Sequence, residues 1–206
     1  KQLLQLGAGR TLCLVPERAR LDGAEMRAYL DGEQVDVLDC TPSQWRLLAE
    51  SYKGPWPCVV LLGGEPIDEE LWRELSAGVD RAYYNLYGPT ECTVDATWAH
   101  VSGADERPSI GRGLPNTRLI VLDQQQELAP VGVAGELCIG GAGVGRGYWQ
   151  RAELTAEKFI PDDFSGVAGA RLYRTGDVGR YLEDGRIEYL GRMDRQVKLR
   201  GYRVEL

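Results

Sequence analysis

Five consecutive apolar residues, Cys58-Val59-Val60-Leu61-Leu62, run straight into Gly63-Gly64. A run this short, closed by two glycines, is the pattern of a parallel strand buried on both faces. It constrains the fold strongly, because parallel strands must be joined by crossovers, usually helices. The neighbouring sequence offers them. Leu3, Leu4 and Leu6 close a helix that Gly7 and Gly9 end, and residues 11–15 read as a strand stopped by Pro16. Leu21, Met26 and Leu30 recur at loose helical spacing before Gly32, and residues 35–40 form the next strand. Thr41 then caps a helix with Pro42 at its first position and Trp45, Leu47 and Leu48 inside it. Residues 66–75 supply another helix, with Leu71, Trp72 and Leu75 inward, before an aromatic strand over 83–87. Strand–helix repeats with short connections predict parallel strands and right-handed crossovers.

After Glu91 the texture changes. Residues 97–101, 118–122 and 136–139 are short strands separated by Gly, Pro and Asp clusters, which predicts an antiparallel barrel or folded sheet. A short helix over 154–159 is expected to take Thr155 as its cap, and Glu183-Asp184-Gly185 marks a hairpin turn. From Gly191 the chain turns basic, with Arg192, Arg195, Lys198, Arg200 and Arg203 close together. The expected fold class is α/β: a parallel sheet with flanking helices (1–94), a small antiparallel β-barrel-like subdomain (95–190), and the start of a C-terminal subdomain (191–206).

Charge and cysteine usage narrow the function. With 24 Lys and Arg against 31 Asp and Glu, the net charge of −7 disfavours a nucleic-acid partner. No apolar run is long enough to span a bilayer, so no membrane role is expected. Five scattered cysteines without a CxxC suit neither a disulfide framework nor a zinc site and point to a reducing, cytoplasmic setting. His100 has no Ser or Cys motif pointing to it and reads as structural. The stretch 140–147, with five glycines, invites a dinucleotide-fingerprint reading, but no helix opens after it and the acidic partner is missing. Both ends read as interrupted elements, as in a piece of a longer polypeptide.

The stretch Asn85-Leu86-Tyr87-Gly88-Pro89-Thr90-Glu91 is the strongest functional candidate. A strand stopped by Gly-Pro delivers polar side chains to a sheet edge, where open α/β sheets bind ligands. Tyr87 brings a flat face, Asn85 an amide, Thr90 a hydroxyl and Glu91 an oxygen suited to a hard cation.

Four runs in order, this one with 135–148, Tyr173-Arg174-Thr175-Gly176-Asp177 and 191–201, resemble the adenylation domains of nonribosomal peptide synthetases. The resemblance covers nearly the whole chain. It implies a fragment of an enzyme that joins an amino acid to ATP as an aminoacyl-adenylate, releases pyrophosphate, and loads a carrier protein's phosphopantetheine thiol. Residues 1–94 would then be the second half of a flavodoxin-like subdomain. Tyr87 would lie along the adenine, Asn85 would meet its amino edge, Thr90 the α-phosphate, and Glu91 a Mg²⁺ ion. Asp177 would accept the ribose hydroxyls, Arg192 would reach the ribose from the other side, and Tyr189 would pack near the nucleoside. Asp194 matches the hinge of the C-terminal subdomain. Condensation or other modules of the same polypeptide would be partners alongside the carrier domain. The phosphate loop would lie upstream and the catalytic lysine downstream, so the fragment alone is not expected to turn over.

By the same matching, Asp39, Leu61, Gly63, Leu86, Val94 and Asp95 would line the amino-acid pocket. Two aspartates among apolar residues are costly unless a substrate pairs with them. That favours a polar or cationic amino acid such as glutamine, ornithine or arginine. An acyl- or aryl-CoA ligase of the same fold, or a non-catalytic interaction fragment, are the alternatives.

Overall fold

The computed structural model describes residues 2–51, 57–78, 81–103, 107–193, 197–199 and 202–204. Three strands, β1 (Val37–Cys40), β2 (Val59–Gly63) and β3 (Ala82–Tyr87), pair in parallel in that order. Helix α1 (Gln2–Gly7) opens the chain, α2 (Gly23–Gly32) precedes β1, and α3 (Pro42–Ser51) and α4 (Glu69–Ala77) are the crossovers. Side-chain caps set the helix starts. Asp22 accepts from the main-chain N–H of Ala24 and Glu25 at 2.8 and 2.9 Å. Thr41 and Gln44 form a capping box, each side chain accepting from the other's N–H (3.2 and 3.1 Å). Asp68 holds the N–H of Leu71 at 2.9 Å.

The helices cover one face of this sheet. Leu38, Val60, Leu62 and Tyr83 pack there against Met26, Leu30, Trp45, Leu48, Leu71, Trp72 and Leu75. Each such aliphatic side chain removed from water contributes about 1.5–3 kcal/mol. The opposite face is only half covered: Val59 and Leu61 alternate with the fully buried Val60 and Leu62. The run that suggested burial on both faces therefore has one covered face among the described residues.

Two expected strands behave differently. Residues 11–15 are irregular, Leu14 is exposed, and the Tyr29 hydroxyl donates to the Leu14 carbonyl instead of a ladder forming. Residues 97–101, expected in the barrel, form β4 (Thr97–Val101), which pairs antiparallel with β3. The reversal happens in a 3₁₀ turn (Thr90–Cys92) followed by Thr93 and Val94 at positive φ, after which Ala96 N–H donates to the Tyr87 carbonyl at 2.8 Å. Short β5 (Arg112–Gly113) extends the same sheet.

The second sheet is antiparallel, in the order β10-β9-β7-β6. Its strands are β6 (Thr117–Leu122), β7 (Gly135–Gly141), β9 (Arg171–Tyr181) and β10 (Ile187–Arg192), with β8 (Phe159–Pro161) also on β9. It curls around a core of Val121, Leu137, Ile139, Phe159, Tyr173 and Ile187, which Tyr87 and Ile110 join from the first sheet's side. Gly111 bridges to Ile187 through two main-chain hydrogen bonds, both 2.9 Å (Ile110 N–H to Ile187 O and Ile187 N–H to Gly111 O), and so stitches the two sheets together. β11 (Val197–Leu199) and β12 (Tyr202–Val204) form a separate antiparallel ribbon. No helix of the described residues is long and apolar enough to cross a membrane.

Candidate active site

The alternation of β3 sorts its side chains to two faces. Asn85 and Tyr87 share the face of Tyr83, toward the helices, while Tyr84 and Leu86 point to the other side. At the strand's end the Tyr87 hydroxyl donates to Asp177 Oδ2 at 2.6 Å. Arg192 Nη1 donates to Asp177 Oδ1 at 2.8 Å, from the β10 residue directly opposite it in register. Tyr87 and Asp177 are 8% and 4% exposed, so the phenol and the carboxylate are buried, and the half-buried guanidinium closes the cluster. Burial first, then the charge and hydrogen bond of Asp177, push the Tyr87 phenol well above its ordinary value. It therefore stays a neutral donor.

Beside this cluster lies a cavity of about 290 Å³. It sits past the C-terminal ends of β2 and β3, where open α/β sheets take ligands. One wall is the Gly64-Glu65-Pro66 turn; the other is Glu188 and Tyr189 of β10, with Asn85, Tyr87 and Ser109 between them. Asn85 Nδ2 donates to the Ser109 carbonyl at 2.8 Å, which fixes which way its amide faces. The Tyr189 ring lies 6.1 Å from that of Tyr87, tilted by 44°. Glu188 accepts from Arg180 Nε at 2.6 Å. The Gly64–Pro66 turn, Ser109 and Glu188 were not anticipated from the sequence. Gly64 was read only as part of a strand stop, and Ser109 and Glu188 carry no local signal.

Thr90 is exposed in the 3₁₀ turn, and Glu91 is half-buried beside it. The Tyr148 hydroxyl donates to Glu91 Oε1 at 2.6 Å and lies 3.4 Å from the Tyr173 hydroxyl on β9, the strand that carries Asp177. The glycine-rich loop after β7 fastens the same turn. Gly145 N–H donates to the Glu91 carbonyl at 2.7 Å, and the Thr93 hydroxyl donates to the Gly143 carbonyl at 2.8 Å. The loop is a latch on the turn, and helix α5 (Ala152–Lys158) begins only after an irregular stretch. Thr155, expected as the cap of α5, lies inside it. Its hydroxyl accepts from Tyr148 N–H at 2.9 Å and donates to the Arg151 carbonyl at 2.8 Å, securing the loop.

A Mg²⁺ ion commonly takes one or two carboxylates together with substrate phosphates and water. Glu91, held by the Tyr148 hydroxyl in the turn after β3, has the chemistry of such a single carboxylate. Among the described residues no three His, Cys, Asp or Glu side chains cluster as a protein-only cage.

The expected amino-acid pocket falls on the other face of the first sheet. Asp39 pairs in register with Leu61, and Gly63 with Leu86, so these four share the half-covered side. A Cβ at Gly63 would come within 3.3 Å of the Leu86 carbonyl, a tight contact that glycine avoids. Asp39 is exposed, Val94 is 47% exposed, and Asp95 is half-buried in the turn before β4. Asp194, the expected hinge, lies outside the described residues.

The family model described as AMP-binding enzyme matches residues 2–149. The chain is 46% identical over 211 residues to the AMB antimetabolite synthetase AmbE of Pseudomonas aeruginosa, covering all of this chain and 10% of that protein. It is also 40% identical over 204 residues to tyrocidine synthase 3 of Brevibacillus parabrevis, covering 97% of this chain and 3% of that one. The chain thus spans a tenth or less of these relatives. Among solved structures it resembles holo-AB3403, a four-domain nonribosomal peptide synthetase bound to AMP and glycine (TM-score 0.82, 42% identity, 96% of this chain and 15% of that one). It also resembles PA1221, an NRPS protein containing adenylation and PCP domains (TM-score 0.82, 31% identity, 94% and 39%).

Proposed function

Because the chain belongs to the AMP-binding enzyme family, we propose that it is the portion of an amino-acid-activating adenylation domain that holds the nucleoside end of ATP. The observation that carries this reading is the Tyr87–Asp177–Arg192 cluster, which meets the cavity through Tyr87. A carboxylate offers about four lone-pair directions. Tyr87 and Arg192 hold Asp177 from one direction each, an arrangement that suits a carboxylate accepting from ribose hydroxyls. The adenine would lie between the Tyr87 ring and the Gly64–Pro66 turn. Since Asn85 Nδ2 is committed to Ser109, its amide oxygen is the group that would accept from the adenine amino edge.

In the proposed reaction the amino-acid carboxylate attacks the α-phosphorus and pyrophosphate leaves. A carrier-domain phosphopantetheine thiol then attacks the acyl carbon and releases AMP. Catalysis of this kind rests on placing two anions together and stabilising phosphoryl charge. Thr90 would meet the α-phosphate, and Glu91, aimed by Tyr148, would hold Mg²⁺, which when bound neutralises the phosphoryl oxygens. The carrier domain and further modules of the same polypeptide are the proposed partners.

The reading extends to the substrate. Asp39, Leu61, Gly63 and Leu86 share one face of the first sheet, Leu86 also lining the cavity, and Asp95 lies in the turn beyond. Two carboxylates there favour an amide, ammonium or guanidinium side chain. The test is pyrophosphate exchange by the intact adenylation domain over a panel of amino acids and aryl or acyl acids. Exchange dependent on glutamine, ornithine or arginine, and weakened in Asp39→Ala, is expected. Exchange supported best by phenylalanine or valine would sink the substrate assignment, and exchange only with acyl acids would replace the amino-acid reading.

A further inference from the structure

The Gly135-Glu136-Leu137 run lies away from the nucleotide cavity, yet Glu136 is buried, 7% exposed, inside the antiparallel sheet. A buried carboxylate is costly unless its oxygens are engaged. Both are. Arg174 donates to Oε2 through Nε and Nη2 at 2.9 and 2.5 Å, and the main-chain N–H of Gly176 donates to Oε1 at 3.2 Å.

These contacts fall where the β7–β9 ladder breaks. Glu136 pairs with Val178, and the next pair is Cys138 with Arg174, so residues 175–177 of β9 stand opposite Leu137 alone. The surplus forms a bulge, a device that re-aims side chains beside functional sites. Gly176 occupies it at φ 72°, where glycine is unstrained. The Thr175 hydroxyl donates to the Leu137 carbonyl at 2.7 Å and accepts the N–H of Asp177 at 3.0 Å. On the far side, Met193 N–H donates to the Gly176 carbonyl at 2.8 Å. The residue that leaves this bulge is Asp177.

We infer that Glu136 is a positioning residue: by tying Arg174, just before the bulge, to Gly176 within it, it holds the Asp177 carboxylate at the angle that lets it read a ribose. The inference rests on the proposed role of Asp177. A carboxylate is required because both flanking groups are donors. Glutamine keeps one acceptor oxygen but turns an NH₂ toward either Arg174 or Gly176 N–H. Glu136 touches no part of the cavity, so it acts only through Asp177.

The experiment measures binding, by calorimetry, of ATP and of 2′,3′-dideoxy-ATP to the full-length protein and to its Glu136→Gln, Glu136→Ala and Asp177→Ala variants. Wild type should prefer ATP by at least about tenfold, the worth of one hydrogen bond to a charged group. Asp177→Ala should erase the preference, and Glu136→Gln should compress it about threefold or more while far-UV circular dichroism stays native. A merely structural residue would lower the unfolding midpoint and leave the ratio of the two affinities intact. If Glu136→Ala does not fold, Arg174→Met loosens the same clamp from its other end and reads the same ratio. A preference that disappears in Asp177→Ala but survives whole in folded Glu136→Gln and Arg174→Met overturns the positioning role alone. A preference that survives in Asp177→Ala overturns the ribose reading beneath it, and the inference with it.

Discussion

Replacing Tyr87 with phenylalanine isolates one contact in the candidate site. The ring and its packing against Tyr189, 6.1 Å away, are kept, while the 2.6 Å hydrogen bond to Asp177 Oδ2 is lost. A hydrogen bond to a charged group contributes about 1.5–3 kcal/mol net. Both partners are more than nine-tenths buried, so water does not readily replace the phenol. Breaking a buried pair outright costs about 3–5 kcal/mol. That figure is not reached here, because Arg192 still sits 2.8 Å from the other carboxylate oxygen and compensates the charge. The expected loss is about 2 kcal/mol, near the middle of the hydrogen-bond range. Urea unfolding of the intact adenylation domain, followed by tryptophan fluorescence, measures it. The same substitution made in an Asp177→Ala background should cost under about 0.5 kcal/mol, since neighbouring residues couple and the partner is gone. Equal costs in the two backgrounds would show that the Tyr87 hydroxyl contributes independently of Asp177 and would remove the cluster as a unit of the site.

The fold yields two further expected outcomes. Gly111→Ala should cost about 3 kcal/mol or more and lower expression of folded protein, because its φ is 74° and a Cβ would overlap the Trp98 carbonyl, at the stitch between the sheets. A thermal shift indistinguishable from that of Gly132→Ala, where the space is open but φ is also positive, would refute the close-approach argument. The thiols of Cys40, Cys92 and Cys138 are pushed from 9.0 to about 12, in each case first by burial and then by a neighbouring carboxylate. Their folded-state values are raised, so the stability they hold is complete below the unfolded value and drains away as pH climbs from 9 toward 12. At pH 10 each should have lost about 1.4 kcal/mol of unfolding free energy. A triple Cys→Ser/Ala variant with the same alkaline stability profile as wild type would contradict this.

Short-range rules made much of this protein visible before any coordinates. The Thr41–Gln44 box, the glycine stop after Leu62 and the Gly185 hairpin are chemistry between residues a few positions apart. The period-2 alternation of the aromatic strand likewise follows from the order of its side chains, Asn85 and Tyr87 buried and Leu86 between them half-buried. The reading failed where partners are distant in the chain. Residues 11–15 had the composition of a strand but no neighbour to pair with, and β4 had the look of a barrel strand but joined β3. Glu136, Tyr148 and Glu188 gave no local hint of their work, because each acts through a residue 8 to 57 positions away. Composition and spacing determined the strand–helix order, the turn positions and the kinds of side chain delivered to the sheet edge. Only the tertiary structure decided that Tyr87 meets Asp177, 90 residues on, and that a two-sided bulge turns that carboxylate toward it. Register between strands is set by the packing of whole sheets, an energy shared among many residues and written in no single stretch of them.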